Sequence, residues 1–180
     1  MKTVLLVGFG PFDAVIDNPA AALAEALDGC VFGGVQVIGR EMPVSHRRSI
    51  QLCEMAIAEH SPEAIVGLGV AVQRTDVTVE NWGARPEVGG REDLDGYTAP
   101  ELPPNCPPRL EATIDSEALA RKIAGTVGDD AGAYVCNSWL YQAILRFKLP
   151  VGFIHIPPHG MDAARLLRAL DGLWGSDDGL

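Results

Sequence analysis

Three residue types that together make a nucleophilic site are spread along this chain: a thiol at Cys136, an imidazole at His155 and a carboxylate at Glu80. A thiolate attacks carbonyl carbon well, but a free thiol near neutral pH is mostly protonated. It needs a neighbouring imidazole or the positive end of a helix dipole. Cys136 stands immediately before "NSWLYQ", a helix-like run, so a helix N-terminus is at hand and its own N–H could face a developing oxyanion. His155, in "GFIHIPPHG", ends an apolar strand-like run and is the candidate general base. Glu80, in "VTVENWG", ends another and could fix the imidazole tautomer, as the third member of a triad does. Each residue also has a plainer explanation. A buried cysteine is usually an inert core thiol, a histidine on an apolar strand a hydrogen-bonded core residue, and a glutamate after a strand a solvated charge. Convergence of all three at strand ends is harder to dismiss, and makes a triad one reading among several.

The elements that must position these residues alternate between short β-like and longer helical patterns. "TVLLVGF" is expected as a buried first strand, and "NPAAALAEAL" as a helix with Asn18 as N-cap and Pro19 at its first position. "VQVIGREMPV" follows as a strand and "SHRRSIQLCEMAIAEH" as a helix capped by Ser45. "EAIVGLGVA" is a third, fully buried strand, and "DVTVENWGA" alternates like a strand with one exposed face. Residues 83–112 break the pattern with Pro86, Pro100, Pro103, Pro104, Pro107 and Pro108. They are expected to form a long ordered excursion, the kind of loop that is often functional. "DSEALARKIAGTV" is then a helix, "GAYV" a short strand, "NSWLYQAILRF" a helix, "VGFIHI" a last strand and "MDAARLLRALDGLW" a closing helix. This order predicts a three-layer α/β/α sandwich with a mostly parallel central sheet, in one domain over residues 1–180. Ligands of such sheets bind at the carboxyl ends of the strands, here Gly8-Phe9, Leu68-Gly69, Glu80, Cys136 and His155.

Composition narrows the alternatives. The 180 residues are 47% hydrophobic and carry a net charge of −10, so a nucleic-acid-binding surface is not expected, and no basic cluster is longer than "HRRS". No run approaches a membrane span, and "MKTVLLVGFGPF" lacks the long apolar stretch of a secretory signal. The four cysteines, Cys30, Cys53, Cys106 and Cys136, are scattered without a CxxC pair, so reduced thiols in a cytoplasmic protein are expected. "GFGPFD" opens like a dinucleotide loop, but Pro11 and Asp13 break the phosphate cradle. "HIPPH" has two prolines between its histidines and no third ligand nearby, so neither a metal nor any other cofactor is expected.

The motifs "GFGPF", "NP" at 18–19, "TVEN", "GAYVCN" and "GFIHIP", in that order, resemble those of the type I pyroglutamyl peptidases. These are cysteine peptidases that remove an N-terminal pyroglutamate from peptides. The resemblance spans residues 1 to about 158, and implies Cys136 as nucleophile, His155 as base and Glu80 as its orienting partner. It also implies Arg91, in "REDLDG", near the oxyanion alongside the Cys136 N–H. Phe9, Phe12 and Tyr134 match aromatic pocket walls, suited to a flat, neutral lactam that has no free amine. Three places depart from the family pattern: Leu68 stands where a glutamine follows glycine, Arg85 where asparagine is expected, and the segment after "FIHIP" is short. The first two bear on the pocket, where Leu68 would touch substrate, and the third on the pocket wall or a homo-oligomer interface.

Two other functions stay open on the sequence. One is a related amidohydrolase acting on another lactam or acyl group, reflecting Leu68 and Arg85. The other is a non-catalytic small-molecule-binding domain on the same scaffold. An activated Cys136 would be alkylated well below the pKa of a free thiol.

Overall fold

The computed structural model describes residues 1–174. The chain enters through β1 (Lys2–Phe9), an almost wholly buried strand, and turns into helix α1 (Pro19–Leu27). Asn18 caps α1 as expected, its Oδ1 accepting from Ala20 N–H at 3.0 Å, while its Nδ2 donates to the Gly10 carbonyl at 2.8 Å. One side chain thereby fixes both the helix start and the loop that leaves β1. A two-residue strand β2 (Val31–Phe32) precedes β3 (Val35–Met42), and helix α2 (Arg48–His60) follows. Ser45 lies three residues before α2, yet its Oγ still accepts from Arg48 N–H at 3.1 Å and secures the entry turn.

Next come β4 (Ala64–Val70), β5 (Thr78–Glu80), β6 (Trp82–Ala84) and β7 (Arg109–Glu111). Strands β6 and β7 pair antiparallel and close the base of the 83–112 excursion. Helix α3 (Ser116–Ile123), strand β8 (Thr126–Gly128), helix α4 (Val135–Arg146), strand β9 (Val151–Ile156) and helix α5 (Ala163–Asp171) complete the order, with a 3₁₀ turn at Gly172–Trp174.

Seven strands form one sheet in the order β2-β3-β1-β4-β9-β5-β8. The central pairs β3-β1, β1-β4 and β4-β9 are parallel, β5-β8 is parallel, and β9-β5 and β2-β3 are antiparallel. Strict alternation along the strands sends Val4, Leu6, Val66, Leu68, Ile154 and Ile156 to the face covered by α1, α3 and α5. Leu5, Val7, Phe9, Ile65, Val151 and Phe153 go to the face covered by α2 and α4. The mostly parallel sheet between two helical layers is the expected architecture. Among the described residues no helix is long and apolar enough to cross a membrane.

Two local expectations are corrected. The segment "GAYV" is not a strand: β8 is formed upstream, by Thr126–Gly128, which the sequence pattern joined to α3. Ala124 takes a left-handed conformation (φ 53°) that stops α3, and Gly125 fits against the Val77 carbonyl where a Cβ would collide at 2.6 Å. That close approach frees "TVG" to pair with β5 and leaves residues 129–134 as the connection to α4. The second correction is strand direction. Strand β5 runs antiparallel to β9, so Glu80 does not reach the site from a carboxyl end shared with β4 and β9.

Candidate active site

Cys136 is the second residue of α4, inside the helix and not ahead of it, with Tyr134 as an N-cap that makes no side-chain capping bond. The first-turn N–H groups of a helix have no intrahelical acceptor, and they carry the positive end of its dipole. Opposite the thiol stands Gly69 of β4: a Cβ built there would lie 2.8 Å from Cys136 Sγ and 2.9 Å from the Phe153 ring. The alternating glycines of "GLG" thus hollow the sheet surface, Gly67 for the Trp139 and Phe153 rings and Gly69 for the thiol. Gly69 is in register with His155 on β9, which brings sulfur and imidazole together over one strand pair. By contrast Cys53 lies fully buried in the layer of α2, where burial pushes its thiol up to about 12 and makes it inert.

On β9, His155 follows Phe153 on the α4 side of the sheet. Thr78 is directly opposite His155 and Glu80 opposite Phe153, so Glu80 and His155 are diagonal neighbours on one face of the antiparallel pair. The diagonal is short enough for His155 Nδ1 to hydrogen-bond Glu80 Oε1 at 2.7 Å. Glu80 is fully buried and His155 is 5% exposed. Burial on its own would lower the His155 pKa; the adjacent Cys136 thiol and Glu80 carboxylate outweigh it and raise the pKa to about 9. The same Glu80 Oε1 accepts from Arg74 Nη1, and Arg74 Nη2 donates to the Asp130 carbonyl at 2.7 Å. Gly128 makes room for the carboxylate, since a Cβ there would meet Glu80 Oε2 at 2.6 Å. Arg74 and Gly128 were not singled out from sequence, and Gly69 was named only as part of a strand end; the G-x-G inside a buried strand is the one signal of a close approach.

Beside Cys136 opens a cavity of about 370 Å³, lined by His46, Arg85, Arg91, Tyr134, Asn137 and Ser138 among others. Tyr134 is its aromatic wall, with Phe12 at 6.5 Å between ring centroids and His46 edge-on at 6.0 Å. Phe9 sits behind this layer, 2% exposed, its ring packed on Trp139 and Phe153. Arg91 lies on the rim: its guanidinium pairs with the Asp13 carboxylate and covers the Tyr134 ring at 4.2 Å. Leu68 is not brought to the cavity. Its side chain is fully buried on the opposite face, among the residues under α1, α3 and α5, because it alternates with Gly67 and Gly69. Arg85 does line the cavity, but its guanidinium donates to the carbonyls of Leu102, Pro104 and Cys106 and so ties the excursion in place. Asn137 grips the same region, exchanging two hydrogen bonds with the Ala84 backbone at 2.8 and 2.9 Å.

A mostly parallel sheet between helical layers, with a thiol at a helix N-terminus against a buried His–Glu pair, has the layout of a cysteine-type hydrolase. The profile of the family described as pyroglutamyl peptidase matches residues 2–164. A pyrrolidone-carboxylate peptidase of Mycobacterium marinum is 35% identical over 179 residues, covering 91% of this chain and 81% of the relative. That of Escherichia fergusonii is 33% identical, covering 87% and 78%. The solved pyrrolidone carboxyl peptidase from Thermococcus litoralis shares the fold at a TM-score of 0.82 and 26% identity, over 95% of this chain and 90% of that one. The chain belongs to the pyroglutamyl peptidase family, whose members are cysteine-type omega peptidases.

Proposed function

We propose that this protein removes an N-terminal pyroglutamyl residue from peptides, using Cys136, His155 and Glu80 as a catalytic triad. The observation that carries the reading is the buried Glu80–His155 pair, 2.7 Å between Oε1 and Nδ1, set beside a thiol at the start of α4. Cys136 Sγ attacks the pyroglutamyl carbonyl carbon, and the first-turn amides of α4, the Cys136 N–H among them, receive the developing oxyanion. The C–N bond breaks as His155 gives its proton to the leaving amine, leaving a pyroglutamyl thioester on Cys136. Water then attacks the thioester, His155 takes up its proton, and pyroglutamate departs with the Cys136 thiolate and the imidazolium restored. Glu80 holds the imidazole with Nδ1 as the donor throughout. Tyr134 is the pocket's flat wall, with Phe12 beside it outside the lining, and Arg91 covers the Tyr134 ring at the rim. Leu68 and Arg85 give no support to an altered specificity, because one packs on the far face and the other is engaged with loop carbonyls. Four free thiols suit a reducing, cytoplasmic setting.

The test is release of a fluorophore from a pyroglutamyl amide. Turnover abolished by Cys136→Ala and by iodoacetamide is the expected result. Wild type that binds pyroglutamate by calorimetry without turnover, or that hydrolyses only other acyl amides, would replace this reading with a binding domain or a different amidohydrolase.

A further inference from the structure

Glu80 accepts two donors on one oxygen. His155 Nδ1 and Arg74 Nη1 both bond Oε1, while Oε2 is buried without a hydrogen-bond partner. Arg74 is held for this contact from both ends. Its backbone N–H closes a turn on the Ala71 carbonyl at 2.9 Å, and its second guanidinium nitrogen bonds the Asp130 carbonyl in the connection leading to Cys136. From the elements packed against Glu80, the titratable groups are His155 on β9, Cys136 on α4 behind that imidazole, Arg74 before β5 and Asp130 after β8.

The catalytic cycle proposed above makes His155 give up its proton, and a fully buried carboxylate left with a neutral neighbour is an expensive uncompensated charge. An arginine never deprotonates in this range, so it can compensate the carboxylate at every step. We propose that Arg74 is a positioning residue for this reaction: it shares Glu80 Oε1 with His155, so that the carboxylate keeps a permanent cationic partner when the imidazole releases its proton. The inference rests on the triad reading. A second cation on the same oxygen also weakens the hold of Glu80 on the imidazolium, and so eases proton release.

The experiment is the pH dependence of pyroglutamyl-amide hydrolysis by Arg74→Met, Arg74→Gln and Arg74→Lys. Loss of the cation should move the alkaline limb of kcat/KM upward from its wild-type position, because Glu80 alone then retains the imidazolium. At pH 7, kcat should fall about 10-fold with KM within about 2-fold, and Arg74→Lys should recover most of the rate and the wild-type limb. A residue that merely braced Glu80 would, when lost, let the carboxylate drift and move the limb downward. Limbs unmoved or lowered in the neutral variants therefore overturn the proposal, and Arg74→Gln, which keeps an amide donor, decides if Arg74→Met does not fold. Silent Arg74 variants beside inactive Glu80→Gln and Cys136→Ala would sink this role alone; turnover by Cys136→Ala would sink the triad beneath it.

Discussion

At His155, burial and charge pull in opposite directions, and the sign of the balance can be measured. Its pKa rises from an ordinary 6.5 to about 9, so the folded state binds the imidazole proton more tightly than the unfolded chain does. The stability from this protonation is complete below pH 6.5 and is lost as pH rises through 9. Urea unfolding of wild type minus His155→Gln should therefore shrink between pH 6.5 and 9.5, by up to about 3 kcal/mol. A difference that stays flat, or grows with pH, would mean that His155 is held neutral. Activity should have an alkaline limb near the same pH, belonging to the coupled Cys136–His155–Glu80 group and not to one residue. Cys136, His155 and Glu80 were legible in the sequence because each combines a reactive type with an apolar run that ends beside it. Gly69, Gly128 and Arg74 were not, since their meaning is the space or charge that they give to side chains on other strands.

Between residue and fold stands the 83–112 excursion, legible as a long ordered loop from its prolines but not in how it is ordered. Its inner clamp is Asp93, 7% exposed. Its Oδ2 accepts from the His46 N–H at 2.7 Å, and its Oδ1 from the Asp95 and Tyr97 N–H groups at 2.9 and 3.0 Å. Burial alone would push this carboxyl up, and the three backbone donors hold it below the ordinary range. The outer clamp is Arg85, three carbonyls on one guanidinium. The His46–Asp93 bond spans 47 residues and the Arg85 bonds 17 to 21, separations that no local pattern encodes. Arg85→Met should release residues 102–106 while leaving the sheet intact. Amide exchange in that stretch should quicken, and KM for a pyroglutamyl amide should rise about 3- to 10-fold with kcat changed less. A fall in kcat at constant KM would instead place the guanidinium in the chemistry. The connection before Cys136 has the same lesson: "GAYV" has strand-forming residues, but "TVG" takes the strand position beside β5.

Across the whole molecule, the sheet sorts side chains into two layers that do different work. The three-layer architecture was legible because buried parallel strands are continuous apolar runs separated by helix-length patterns. The reversal of β5 was not, because a three-residue strand has no direction in its sequence. That reversal is what sets Glu80 diagonal to His155. The α2/α4 face holds the thiol, the imidazole and the carboxylate, while the α1/α3/α5 face is apolar packing to which Leu68 belongs. The family pattern drew attention to Leu68 as a substrate contact, and its place in the sheet separates the two possibilities cleanly. Truncating it should open a cavity among Val66, Ile154 and their neighbours on the far face, without touching the pocket. Leu68→Ala is expected to lower unfolding free energy by about 2–5 kcal/mol. Its kcat and KM, measured well below the melting temperature, should stay within about 2-fold of wild type. A large change in KM with little loss of stability would put Leu68 against substrate, and would require β4 to present its other face to the site.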